Sequence, residues 1–257
     1  MKLFVGILTN RDAERLERCI ESLGPKQEYF EAFVVCNTLD EDYIPIARAV
    51  AEKHNVEIFI TSSNGLPGRG KNSVIDLFAM GPHTHLVPID GDDTLAPGAL
   101  EHIKGLLEEN PEIDVLGQRH NPMVYDGNVN TWENIIEDGL FFEYGAIEPS
   151  KRNIVAMGAL REAINSVIPF NRFLILSKFA AQNFSYLEDI KACDDIIAAC
   201  DLYNSDVKYF LTDKVLYEYE MTQGTLWNYF QDVKQVVYTT KLIQKRNIGK
   251  VRDVQIV

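Results

Sequence analysis

His85-Leu86-Val87-Pro88-Ile89-Asp90-Gly91-Asp92-Asp93-Thr94-Leu95-Ala96-Pro97 runs from an apolar stretch straight into three carboxylates. A short apolar run bounded by turn formers reads as a buried strand, here over 85–89. Beyond it the pattern predicts a helix over 97–109, with proline near its first turn, Leu100, Ile103, Leu106 and Leu107 on one face, and Asn110-Pro111 past its end. The carboxylates therefore stand in a turn at a strand's C-terminal end. Three like charges that close repel unless a cation or solvent neutralises them. Hard oxygen ligands suit Mg²⁺ or Mn²⁺, ions that commonly take one or two carboxylates and keep positions for water and phosphate oxygens. Taken alone, the same four residues also read as an Asp/Gly turn that caps the next helix.

Working outward, the hydrophobic period alternates between strand and helix. Strands are predicted over 3–8, 32–36, 56–60 and 115–118, and helices over 12–23, over 43–54 and, after the Gly-rich loop 64–70, to about residue 80. Leu16, Cys19, Ile20 and Leu23 give the first helix its apolar face, and Gly24-Pro25 stops it. This alternation predicts an α/β fold with a mostly parallel central sheet flanked by helices. Ligands of such sheets sit at the carboxyl ends of the strands. Those ends carry Thr9-Asn10-Arg11, Asn37 with Asp40 beyond it, Asn64-Gly65 and Asp90-Gly91-Asp92-Asp93. From 119 to about 169 turn formers mix with Trp132, Phe141, Phe142 and Tyr144, which reads as irregular structure around a pocket. Further strands over 173–176, 207–211 and 215–219, a helix over 190–202 and a long helix over 226–244 complete the chain. The expected organisation is one domain over 1–225, with halves 1–118 and 119–225, and a C-terminal helical extension over 226–257.

The charge balance is −13, from 25 Lys+Arg against 38 Asp+Glu, which disfavours a nucleic-acid binder because phosphate-tracking proteins need a basic face. A substrate with few phosphates is compatible with it. The apolar fraction of 46% is that of an ordinary globular chain able to bury a large core. No run of about 18 apolar residues offers a membrane span. Residues 1–8, followed by polar 9–12 where a cleavage region would be needed, read as a first strand rather than a signal peptide. Cys19, Cys36, Cys193 and Cys200 lack CxxC spacing and sit in apolar patterns, which points to reduced core thiols and a cytoplasmic setting. His54, His83, His85, His102 and His120 show no metal-ligand spacing and are expected to be structural or solvent-facing.

With the acidic turn after a fourth strand, the first 120 residues resemble the family 2 glycosyltransferases of the GT-A fold. The resemblance rests on Gly6-Ile7-Leu8-Thr9-Asn10-Arg11 with Leu16 to Leu23, on Gly70-Lys71-Asn72, and on Ile89-Asp90-Gly91-Asp92-Asp93 through Leu100. It extends more weakly to Asp194-Asp195 and to Tyr217-Glu218-Tyr219 with Thr225. It implies a GT-A-like fold and inverting transfer of a sugar from a nucleotide-diphosphate donor to an acceptor hydroxyl, on a glycan or glycoconjugate, assisted by Mn²⁺ or Mg²⁺. By the same resemblance Asp92 binds the metal, and Asp90 contacts the ribose or a metal-bound water. Asp195 is the general base that takes the acceptor proton, with Asp194 as its orienting neighbour and Glu188-Asp189 as a competing pair. Lys71 and Asn72 fall near the donor phosphates, with Gly91 in the turn. Thr9, Asn10 and Arg11 fall where base and ribose are held. Asn37 departs from the aspartate that often reads uracil at this strand end; an amide changes that hydrogen bond and leaves the base open, though Asp40 could compensate. The late histidine ligand of some relatives is absent.

Trp132 and Tyr144 are candidates for the acceptor site, since aromatic faces suit the apolar patches of a sugar ring. The stretch Gly65-Leu66-Pro67-Gly68-Arg69-Gly70-Lys71-Asn72 nearly satisfies the P-loop pattern, but Asn72 replaces its hydroxyl residue. A sugar nucleotidyltransferase lacks support because its Gly-rich loop after the first strand is missing. A non-catalytic module that binds a sugar nucleotide or glycan remains the reading without chemistry.

Overall fold

The computed structural model describes residues 1–119, 122–125, 128–131, 159–160, 162–163, 173–191, 193–221, 233–246 and 255–257. Strands and helices alternate through the first half: β1 (Leu3–Thr9), α1 (Ala13–Ser22), β2 (Phe30–Cys36), α2 (Tyr43–Lys53), β3 (Glu57–Ile60), α3 (Pro67–Met80), β4 (His85–Asp90), β5 (Thr94–Leu95), α4 (Ala99–Glu109) and β6 (Val115–Gln118). The second half adds β7 (Pro122–Tyr125), β8 (Asn128–Thr131), β9 (Leu174–Ser177), α5 (Lys178–Gln182), α6 (Asp194–Asn204), β10 (Tyr209–Thr212), β11 (Tyr217–Met221), α7 (Val233–Arg246) and β12 (Gln255–Ile256).

Eight strands form the main sheet in the order β12-β10-β6-β9-β4-β1-β2-β3. β9 alone among them runs antiparallel, between β4 and β6. The expected mostly parallel α/β sheet is thus present. Its strands carry Leu3, Val5, Ile7, Val34, Val87 and Leu116, all fully buried, as strands covered on both faces require. The register pairs Leu8 with Asp90 and Thr9 with Cys36. Three strands therefore end on one edge, and the polar residues after them meet there.

The structure departs from the sequence pattern in several places. A second sheet, in the order β5-β11-β7-β8, occupies part of the stretch read as irregular. β5 is only two residues long, too short for periodicity to register. The helix expected after the 64–70 loop starts inside that loop, because Pro67 fills its first turn. The helix expected from 97 begins at Ala99, after Gly98. The one expected from 190 begins at Asp194, since Cys193 at φ 61 has left-handed backbone and breaks the helical pattern that buried Ile190 suggested. The C-terminal stretch supplies a strand as well as a helix, β12 pairing parallel with β10. The four cysteines are free, three of them buried. Among the described residues no helix is long and apolar enough to cross a membrane.

Candidate active site

The acidic turn is tightly built. Gly91 donates its N–H to the Leu8 carbonyl at 2.7 Å, and a Cβ at this position would meet that same carbonyl oxygen at 2.8 Å. Only glycine lets the turn lie against β1 so closely. The three carboxylates then separate by role. Asp93 is fully buried, accepts from the Tyr217 hydroxyl, and accepts the Glu220 N–H at 2.8 Å, so it belongs to the framework. Asp90 and Asp92 keep 32% and 38% of their side chains exposed.

Each of those two carboxylates faces a cation that keeps little exposure. Lys71, in the first turns of α3, lies 3.5 Å from Asp90 Oδ2 and 2.8 Å from Asp194 Oδ2, with its ammonium over the Tyr186 ring. Burial alone would push the ammonium pKa down, but Asp194 and then Asp90 outweigh it and hold Lys71 well above its ordinary value. Burial pushes the Tyr186 hydroxyl up, so it stays protonated beside this cation. Arg15, on α1, lies 3.5 Å from Asp92 Oδ2.

Asp194 and Asp195 open α6, and both are buried at 7% exposure. Asp195 Oδ1 accepts the N–H of Ile196 at 2.9 Å. The competing pair is differently engaged: Glu188 accepts from Asn72 at 2.9 Å and Arg69 at 3.2 Å, and its carbonyl accepts from Asn64. The Asn72 hydrogen bond, then Arg69, holds the Glu188 carboxyl below its usual range.

Asn72 is a clasp as well. Its amide donates to the Tyr186 carbonyl and accepts the Tyr186 N–H, which binds α3 to the segment before α6. Gly68 completes that seam, since a Cβ there would sit 2.0 Å from the Leu187 carbonyl oxygen. Close approach of backbone explains a glycine in this P-loop-like stretch without a phosphate cradle.

Thr9 is buried and shares a 2.6 Å hydrogen bond with the Tyr43 hydroxyl, whose pKa burial raises to about 12. Asn10 and Arg11 are exposed on the same strand end, and Asp40 is exposed with its carboxylate accepting the Asp42 N–H. Asn37 is buried, and its Nδ2 donates to Thr61 Oγ1 at 2.8 Å and the Ser62 carbonyl at 3.0 Å. Trp132, Tyr144, Phe141, Phe142, Thr225 and His120 lie outside the described residues.

The structure thus brings Asp90, Lys71 and Asp194 into contact and places Asp92, Thr9 and Asn37 along the same edge. Asp90 and Asp92 are part-exposed carboxylates on one turn, oxygen donors of the kind that could hold Mg²⁺ or Mn²⁺. Sequence reading missed Arg15, and it named Tyr217 only as part of the resemblance, without a role. Arg15 precedes Cys19 by four positions and so falls on the apolar stripe of α1, which was the available signal. Among the described residues a three-ligand cluster occurs elsewhere, where Glu17, Glu21 and His54 meet at the far ends of α1 and α2. Histidine spacing did not indicate it. Glu17 there already binds Lys53 and His54, the first of which chiefly lowers its pKa.

Comparison with known proteins identifies the family and the fold. The family model described as Glycosyl transferase family 2 matches residues 5–180. S. aureus TarS 1–349 in complex with UDP superposes with a TM-score of 0.61 at 16% identity, covering 98% of this chain and 67% of that one. Its complex with UDP-GlcNAc gives 0.60 at 15% identity, covering 98% and 68%. Glucosyl-3-phosphoglycerate synthase from Mycobacterium tuberculosis, in complex with Mn²⁺, UDP and glucosyl-3-phosphoglycerate, gives 0.59 at 14% identity, covering 97% and 81%. At these identities the likeness is one of fold. No curated protein sequence matches the chain.

Proposed function

The chain belongs to glycosyl transferase family 2 and is a glycosyltransferase; from that premise we propose that it moves a sugar, with inversion, from a uridine diphosphate donor to a hydroxyl of a glycan or glycoconjugate. The observation that carries this reading is the convergence of Asp90, Lys71 and Asp194 on the edge that also holds Asp92. Asp90 and Asp92 would hold Mn²⁺ or Mg²⁺. When bound, that ion supplies charge against the departing diphosphate.

The residues of the chain do the rest. Lys71 presents a permanent positive charge beside the diphosphate position while fixing Asp194. Asp195, next along α6, takes the proton of the attacking hydroxyl from the side opposite the leaving group. Thr9, Asn10 and Arg11 border the nucleoside. Asn37 supports uridine despite replacing an aspartate: the Ser62 carbonyl can only accept, so Nδ2 faces it and Oδ1 is the amide's remaining polar atom. A carbonyl oxygen receives the ring N–H of uracil as a carboxylate does. Trp132 and Tyr144 are retained for the acceptor. The bound UDP, UDP-GlcNAc and Mn²⁺ of the two structural neighbours are consistent with this donor class.

The test is a panel of UDP-, GDP- and CDP-sugars, followed for nucleotide release with Mn²⁺ or with EDTA. Turnover is expected for a UDP-sugar, lost on chelation, and lost in Asp92→Asn with the fold intact. Undiminished Mn²⁺-dependent binding by that variant rejects the Asp92 assignment. Donor binding without turnover across a broad acceptor panel would favour the non-catalytic module.

A further inference from the structure

α1 buries Arg15 along with Leu16, Cys19 and Ile20, and Cys19 Sγ lies 3.8 Å from the Asp90 carbonyl. That face of α1 is therefore packed directly on the acidic turn, and it places a guanidinium there that keeps only 8% of its side chain exposed. Burying an arginine is costly unless its donors are satisfied. Here they are poorly satisfied: Nε lies 3.5 Å from Asp12 Oδ2, Nη1 lies 3.5 Å from Asp92 Oδ2, and the buried Nη2 has no hydrogen-bond partner among the described residues. Charge-assisted hydrogen bonds to carboxylates run near 2.7–2.9 Å, so neither contact is a closed one. Asp12 itself is held in left-handed backbone at φ 66 while capping Arg15 N, which fixes the start of α1 against this spot.

A cation that is buried, under-bonded and aimed at a part-exposed carboxylate acts mainly through its charge. We propose that Arg15 is a positioning residue for Asp92, a resident counter-charge that holds this carboxylate in the absence of donor and weakens divalent-ion binding until a diphosphate arrives. Resting on the metal reading given above, it makes ion and nucleotide bind as a pair. The reason is electrostatic: guanidinium and divalent ion would share one carboxylate at short range, and two cations so placed repel. The negative diphosphate offsets that repulsion. Arg18, one turn further along α1, pairs instead with Glu220 at 2.8 Å and is 46% exposed, so it provides a control of equal charge.

Mn²⁺ binding to the whole chain, measured by the EPR signal of free Mn²⁺ without nucleotide, tests this. Arg15→Gln should bind Mn²⁺ about tenfold more tightly than wild type, Arg15→Lys and Arg18→Gln should stay within about twofold, and Asp92→Asn should remove the gain. UDP should tighten Mn²⁺ binding more in wild type than in Arg15→Gln, beyond what UDP itself holds in solution. Unchanged or weaker Mn²⁺ binding by folded Arg15→Gln overturns the proposal. If that variant does not fold, Arg15→Met is measured in its place, and failure of both neutral variants to fold makes the charge structural and also overturns it. Absence of Mn²⁺ binding by wild type even with UDP rejects the metal reading itself, which separates the two failures.

Discussion

Asp195 combines burial, a helix N-terminus and a hydrogen bond from Ile196 N–H, and its neighbour Asp194 is already committed to Lys71. Asp195→Asn keeps the shape and loses the proton acceptor. Turnover should fall by roughly a hundredfold or more while donor affinity changes little, measured as a separate kcat and donor KM. Glu188→Gln and Asp189→Asn serve as comparisons, because Glu188 binds Arg69 and Asn72 on the rim of α3. The assignment fails if either comparison abolishes turnover while Asp195→Asn stays active. At this scale the sequence located the acidic turn and the acidic pair, since both are contiguous. It assigned Asp90 and Asp92 to the site but did not find the framework role of Asp93. Asp93's partner Tyr217 stands 124 residues away in the chain, and no local pattern reports such a contact.

Elements of the first half were legible because each helix has a stripe and each strand an apolar run, as in Leu100, Ile103, Leu106 and Leu107 of α4. β5 and β12 were not, being two residues each and defined only by their partners. The pairing of α6 with α7 was equally silent, and it rests partly on charge. Arg246 Nε lies 2.9 Å and 3.2 Å from the two Asp201 oxygens. Burial raises the Asp201 pKa, and Arg246 only partly counters that rise. Removing the arginine leaves a half-buried carboxylate with a pKa above its unfolded value. Such a group favours folding when protonated and opposes it as pH rises through the folded pKa. Arg246→Ala should therefore cost about 1 kcal/mol near pH 7, a figure reduced for partial exposure, and less near pH 4. Urea denaturation at both pH values checks this; an equal loss at both, or none, removes the charge from the account of this joint.

Across the whole molecule, the acidic turn is also the hinge point between two sheets. Asp90 ends β4 of the large sheet, and Thr94 begins β5 of the small one only four residues later. Asp93 lies between them, accepting from the Tyr217 hydroxyl and the Glu220 N–H of β11. Gln118, at the end of β6, repeats the link: its Oε1 accepts the N–H groups of Leu216 and Tyr217 at 2.9 Å, and its Nε2 donates to the Tyr217 carbonyl at 3.0 Å. Phe173 stacks on the Tyr217 ring at 4.8 Å, so the ring is packed independently of its hydroxyl. Tyr217→Phe preserves that packing and removes one hydrogen bond to a fully buried carboxylate. Leaving a buried acceptor under-satisfied costs about 1–3 kcal/mol, more at the upper end when it is charged. Because Asp93 fixes the turn that carries Asp90 and Asp92, the loss should reach function: equilibrium denaturation should show reduced stability, and donor affinity should weaken severalfold even where the variant is fully folded. A stability change below about 0.5 kcal/mol, the range of ordinary surface substitutions, would mean that Asp93 does not couple the sheets. Reduced stability with unaltered donor affinity would confine the coupling to folding and leave the donor edge built by β1, β4 and α3 alone.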